Sequence, residues 1–155
     1  MNENVKVRTC LWFEKGGFEA AKFYVSLLPD SRIDSEYPTE SGKEPLTVEF
    51  TLAGAPYQIL NGGDHYKLTP AASISVLTDN QEETDRLWSA LLADGGEESH
   101  CGWLADRYGV SWQIVPRVLI RAVTAIDQVA AERARQAMFQ MRKIDIAAIE
   151  KAFKG

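Results

Sequence analysis

The chain has 155 residues, 45% hydrophobic and 25% charged, a composition that fits one folded domain able to bury a core. Against 22 acidic residues stand 17 Lys and Arg, a formal net charge of −5 that argues against nucleic acid or an anionic membrane as partner, since both demand a basic face. No apolar run approaches the roughly 20 residues that span a bilayer, Met1-Asn2-Glu3-Asn4 lacks the apolar core of a signal peptide, and the two cysteines, Cys10 and Cys101, form no disulfide framework, so a cytoplasmic, reducing location is expected.

Val5 to Phe13, rich in β-branched and aromatic residues, reads as a strand. Gly16-Gly17 breaks it, and apolar residues at 20, 21, 24, 27 and 28 give helical spacing over Phe18 to Leu28, ended by Pro29-Asp30. A short strand is expected over Ile33 to Tyr37, then a polar loop over Thr39 to Pro45. Leu46 to Leu52 and Tyr57 to Leu60 flank Ala53-Gly54-Ala55-Pro56 and read as a hairpin. Asn61-Gly62-Gly63-Asp64 to Pro70 is a linker. Ser73 to Leu77 is the next strand, and Asp79 or Asn80 can cap the following helix, with Glu82 and Glu83 in its first turn. That helix runs to about Ala93, stopped by Gly95-Gly96. Glu97 to Asp106 and Ser111 to Val115 supply the remaining strands, and Pro116 closes the pattern. Beyond it, Ile126, Ala130, Ala134, Ala137, Met141 and Ile144 form an apolar helical stripe, and Asp145 can cap a last helix over Ile146 to Phe153. This arm is expected to pack on the sheet, with a dimer contact as the alternative.

The pattern is one module written twice. Gly54-Ala55-Pro56-Tyr57-Gln58-Ile59-Leu60 and Gly109-Val110-Ser111-Trp112-Gln113-Ile114-Val115 both read Gly-x-x-aromatic-Gln-Ile-aliphatic, 55 residues apart. Thr9 to Leu28 overlays Ser73 to Leu92 at an offset of 64, Glu19 falling on Glu83 and Tyr24 on Trp88. The expected fold class is α+β: two tandem βαβββ modules over 1–116 (module one 5–60, module two 72–116) and a helical arm over 117–155.

Side chains alternate faces along a strand. Ile74 and Val76 should face the helix, which puts Ser73 and Ser75 on the opposite face. The repeat transfers that parity to Thr9, Leu11 and Phe13. Trp112 and Ile114 pair with the helix side, leaving Gln113 with Val115 and, by the same logic, Gln58 with Leu60. Thr9, Gln58, Ser73 and Gln113 are thereby expected on one surface. An unsatisfied buried amide costs on the order of 1–3 kcal/mol, so the glutamines either pair locally or line a wet ligand cavity.

The duplicated module resembles the vicinal oxygen chelate superfamily, which includes glyoxalase I, bleomycin-resistance proteins and extradiol dioxygenases, and within it the PhnB-like branch labelled 3-demethylubiquinone methyltransferase-like. The resemblance rests on Leu11-Trp12-Phe13, Ala21-Lys22-Phe23-Tyr24, Val48-Glu49-Phe50, Leu60-Asn61-Gly62-Gly63, Cys101-Gly102-Trp103-Leu104, Tyr108 to Pro116, and Met141-Arg142-Lys143-Ile144-Asp145-Ile146. It implies a cup-shaped mixed sheet, a homodimer, and in metal-dependent relatives one His, Glu or Gln ligand on the first and last strand of each module. Those positions fall on Thr9, Gln58, Ser73 and Gln113.

Neutral hydroxyls and carboxamides are poor ligands for a divalent transition metal, so no metal and no cofactor are expected. His65, in the linker, and His100, beside Cys101, occupy no ligand position. Neighbours on a strand point to opposite faces, which keeps His100 from serving as a base for Cys101. Cys10 should be buried against the helix. Trp12, Trp88 and Trp112 read as core, and Trp103 borders the cavity. Asn61-Gly62-Gly63 reads as a turn rather than an anion nest, and no glycine-rich fingerprint follows the first strand. The expectation is a homodimer that binds an unidentified small molecule at a cavity of Thr9, Gln58, Ser73, Gln113, Leu11, Phe13, Leu60, Asn61, Ser75 and Trp103. The alternative is a glyoxalase-, dioxygenase- or methyltransferase-like enzyme on a small oxygenated substrate.

Overall fold

A computed structural model describes residues 6–38 and 43–155. The chain forms two compact units, the first ending at Leu68 and the second beginning at Thr69. In chain order the elements are β1 (Thr9–Phe13), α1 (Gly17–Leu27), β2 (Arg32–Pro38), β3 (Pro45–Leu52), β4 (Ala55–Asn61), β5 (Ser73–Thr78), α2 (Gln81–Leu92), β6 (Glu97–Glu98), β7 (Trp103–Ala105), β8 (Ser111–Pro116), α3 (Arg117–Val123), α4 (Gln128–Phe139) and α5 (Ile146–Lys154). The first strand is shorter than the Val5 to Phe13 expected, with Val5 itself outside the described residues, as is most of the Thr39 to Pro45 loop.

The first unit is a βαβββ module with sheet order β1-β4-β3-β2, parallel only at β1 and β4. Ala53 and Gly54 close the β3–β4 hairpin at φ +47° and +81°, the doubly left-handed pair that matches strand twist in a two-residue turn. Leu11, Phe13, Val48, Phe50 and Ile59 bury against Ala20, Ala21, Tyr24 and Leu27 of α1. The start of α1 has no capping side chain of its own. Instead Glu44 accepts from the backbone N–H groups of Gly16 (3.0 Å) and Phe18 (3.3 Å), and Asn61 Oδ1 accepts from Gly17 N (3.0 Å). Three of the four N–H groups that a helix start leaves open are thus satisfied from the sheet and the segment leading into it.

The second unit repeats the module with sheet order β5-β8-β7-β6, again parallel only at the first pair. Here the helix caps itself: Asn80 Oδ1 accepts from Glu83 N at 2.8 Å while Glu83 Oε2 accepts from Asp79 N at 2.8 Å. The stretch Glu97 to Asp106, expected to supply strands, holds two short ones. Cys101 and Gly102 adopt left-handed φ (+58° and +83°) and turn the chain between them.

The arm folds into α3, α4 and α5, which share a core of Leu119, Ala122, Ala134, Ile144 and Ile149 with Val115 of β8 packed against it. It is pinned to the β6–β7 turn through Cys101 N to Met141 O (2.8 Å) and Gly102 N to Arg142 O (2.7 Å). Asp145 caps α5 as expected, accepting from Ala148 N at 2.9 Å. The stripe's first member does not join the core: Ile126 precedes the α4 cap, Asp127, and is 98% exposed.

Candidate functional site

Each sheet has one face covered by its own helix and one turned away from it. In the second unit Ile74, Val76, Trp112 and Ile114 lie under α2 and are buried, as the alternation demands. The opposite face carries a row of three side chains across β7, β8 and β5: Trp103, Gln113 and Ser75, with Gln113 in register with both neighbours. Ser73 lies on the same face, and its hydroxyl accepts from Gln113 Nε2 at 2.8 Å. Gln113, Ser73 and Trp103 are half-buried and Ser75 is exposed. The bond fixes the rotamer of Gln113 and uses one N–H of a carboxamide that has two, together with a carbonyl oxygen that can accept.

The first unit departs from the expected parity. Register rows run Thr9–Tyr57–Phe50, Leu11–Ile59–Val48 and Phe13–Asn61. This face is the one under α1: a Cβ on Gly17 would meet Ile59 Cγ2 at 2.3 Å, and Tyr24 packs against Phe50 with ring centroids 6.4 Å apart. Thr9, Leu11, Phe13 and Asn61 therefore sit on the helix side, away from Gln58. Asn61 is committed to structure, since its Nδ2 donates to Pro45 O (2.8 Å) while its Oδ1 holds α1.

The cause is one residue. Three residues, Glu14 to Gly16, join β1 to α1, whereas two, Asp79 and Asn80, join β5 to α2. The offset of 64 that aligns the helices becomes 65 for the strands, and a one-residue slip turns every strand side chain to the other face. A signal was present in β1: Leu11 and Phe13 are its large apolar residues and, like Ile74 and Val76, belong under the helix.

The face that carries Gln58 instead holds Arg8, Cys10 and Glu49, with Cys10, Gln58 and Glu49 in one register row. Arg8 is the counterpart of Ser73. Its guanidinium pairs with the Glu49 carboxylate, whose other oxygen accepts from Ser35 Oγ at 2.9 Å. Glu49 is buried, 7% exposed. Next to it Asp34 binds Arg32 (2.8 Å) and accepts from Thr51 Oγ1 (2.7 Å). The void lined by Arg8, Asp34, Glu49, Thr51, Pro56 and Tyr57 has a volume of about 10 Å³, room for no more than one water. Leu60 lies on this face between Trp12 and Thr47. Cys10, expected under the helix, is exposed on the Gln58 side, and partial burial of its thiol raises its pKa.

Trp88 and Trp112 are core, their indole N–H groups bound to Glu98 (3.0 Å) and Asp106 (2.9 Å). Trp12 is half-buried on the Gln58 side, donating to Gly63 O at 2.8 Å with Tyr66 edge-on to its ring. His65 and His100 are exposed. His100 and Cys101 lie in a turn, so strand alternation does not govern them. Among the described residues no group of three or more His, Cys, Asp or Glu is placed to hold a metal ion. The polar set on each face does not fit one: a hydrogen-bonded Ser–Gln pair in the second unit, a carboxylate already neutralised by Arg8 in the first.

In comparisons with known proteins, residues 5–115 match the model of the 3-demethylubiquinone-9 3-methyltransferase family. Among solved structures the chain is similar to a putative 3-demethylubiquinone-9 3-methyltransferase, PhnB protein, from Bacillus cereus, with 33% identity and a TM-score of 0.63 over 72% of this chain and 99% of that one. Protein PA1353 from Pseudomonas aeruginosa shares 20% identity with a TM-score of 0.59, over 72% of this chain and 97% of that one. The fosfomycin resistance protein FosX from Mesorhizobium loti shares 13% identity with a TM-score of 0.52, over 74% and 92%. The last two establish likeness of fold alone. No curated protein matches the chain.

Proposed function

This chain belongs to the 3-demethylubiquinone-9 3-methyltransferase family, the PhnB-like branch of the vicinal-oxygen-chelate fold, and on that premise we propose that it is a metal-free protein that binds a small molecule, acting as a cytoplasmic homodimer. The observation that carries this reading is the neutral pair Gln113–Ser73, bonded at 2.8 Å on the face turned away from α2. A site meant for a divalent ion needs anionic or imidazole donors there. A site meant for an organic ligand needs oriented donors and acceptors beside apolar surface, and Gln113 sits between Trp103 and Ser75 with Leu77 and Val115 as the next pair. Gln58 holds the repeat-related position in the first module, on the face turned away from α1.

No methyl-transfer step is assigned. Neither strand–helix turn, Glu14-Lys15-Gly16 or Asp79-Asn80, has the glycine-rich form that cradles a dinucleotide. No described helix is long and apolar enough to cross a membrane.

The test is the metal content of protein purified without chelator, with melting temperature read against added zinc, nickel and manganese and then against a small-molecule panel. A ligand that binds only the native state raises the melting temperature. Negligible metal, no metal-induced shift and a shift with an organic ligand are expected. Stoichiometric metal would overturn the proposal and move an enzyme of glyoxalase or dioxygenase type ahead of it.

A further inference from the structure

We infer that the Arg8–Glu49 ion pair is an internal cation that stands in for a metal in the first module, and that Arg8 is the residue that denies a metal its place there. This rests on the metal-free reading above and says how the first module achieves it.

Three observations lead to it. The strand register puts Arg8, not Thr9, at the position that answers to Ser73, on the face that carries Gln58. On that face Cys10 and Gln58 stand side by side, with Glu49 in the same row one strand further on. A thiol, a carboxylate and an amide oxygen within one patch of sheet are the beginnings of a site for a thiophilic divalent ion. Yet Glu49, at 7% exposure, already has a cation: Arg8 reaches across β4 to one carboxylate oxygen and Ser35 donates to the other. A nearly buried carboxylate is tolerated only when its charge is matched. A guanidinium supplies that match permanently, because it does not lose its proton in proteins. The second module needs no such device, since Ser73 and Gln113 are neutral and satisfy each other.

The inference makes a gain-of-function prediction. Arg8→His removes the cation and adds an imidazole on the same face as Cys10 and Glu49. The variant should bind about one zinc ion per chain, with its melting temperature raised by about 5 °C or more at saturating zinc, where the wild-type protein shows neither. R8H/E49Q, which removes the carboxylate, should lose most of that affinity, at least tenfold. If Arg8→His folds poorly alone, refolding with and without zinc, followed by circular dichroism, gives the same readout, because zinc should restore the native spectrum. Absence of zinc binding and of zinc-dependent refolding in Arg8→His, or equal binding by R8H/E49Q, overturns the inference while leaving the metal-free reading intact. Stoichiometric zinc on the wild-type protein overturns the reading itself.

Discussion

Asp106 carries more structure than any other single carboxylate described. It is 4% exposed, and it accepts from Tyr108 N (2.8 Å), Val110 N (3.1 Å) and Trp112 Nε1 (2.9 Å). These bonds shape the turn between β7 and β8 and lock the indole next to Gln113. Asp106→Ala strands three donors, one of them the buried indole N–H. It should cost about 2–4 kcal/mol, read as a lower urea midpoint with an unchanged slope. Gln113 and Gln58 stand at the other extreme. Both are half-buried, and Gln113 makes one side-chain bond at a partly wet site. Gln113→Ala and Gln58→Ala should lower stability by no more than about 1 kcal/mol. Under the binding proposal they weaken ligand affinity by a larger factor; loss of stability with unchanged binding would give each a structural role instead. Trp12 and Gly62 form a third kind of constraint. A Cβ on Gly62 would lie 2.3 Å from the Trp12 ring, so Gly62→Ala must push the indole off its bond to Gly63 O, with a lower melting temperature as the measure.

At the scale of elements, the coupling of α2 to the arm runs through Gln81. Its amide donates to Ile144 O (3.1 Å) and Asp85 Oδ1 (2.9 Å), and its carbonyl oxygen accepts from Ile146 N (2.9 Å), so one side chain spans the chain from 81 to 146. Asp85 in turn binds Lys143 at 2.7 Å. The hydrogen bond from Lys143, and after it that from Gln81, holds the Asp85 pKa below the usual carboxylate value. A depressed folded-state pKa gives stability that is present above the unfolded value, near 4, and is lost as pH falls through the folded one. The pair is largely exposed, so the effect is small. Lys143→Met should lower stability slightly at neutral pH, leave it nearly unchanged below about pH 3, and so flatten the acid limb of the stability profile by that same small amount. Elements of this kind were legible from periodicity: both helices, the β3–β4 hairpin and the Asn80 and Asp145 caps follow from spacing and cap chemistry. The facing of the strand side chains was legible in one module only. A count along the chain cannot tell a three-residue β–α turn from a two-residue one, and that single residue decides whether Thr9 or Arg8 shares a face with Gln58. Long-range capping escaped for a similar reason, because Glu44, just before β3, and Asn61, at the end of β4, reach α1 from distant parts of the sequence.

At the scale of the molecule, the family match stops at residue 115 while the second compact unit continues to Gly155. Everything after β8 is thus outside the matched module yet folded with it. Two readings of the arm differ in what its removal does. As an appendage it could be cut at Pro116 with little effect. The contacts argue for the opposite. Removing 117–155 would strip Val115 of the apolar cluster around Leu119 and Ile149, and would leave Cys101 N and Gly102 N without the carbonyls of Met141 and Arg142. It would also empty the space over Gly102, where Ile144 sits so close that a Cβ would meet it at 3.2 Å. That turn leads directly into Trp103, beside Gln113 in the sheet. A chain ending at Pro116 should therefore keep native-like amide-exchange protection in β1, β3 and β4 and lose much of it in β7 and β8. Uniform protection in the truncated chain, with the full-length melting temperature, would instead make the arm dispensable and leave the candidate face standing on the module alone.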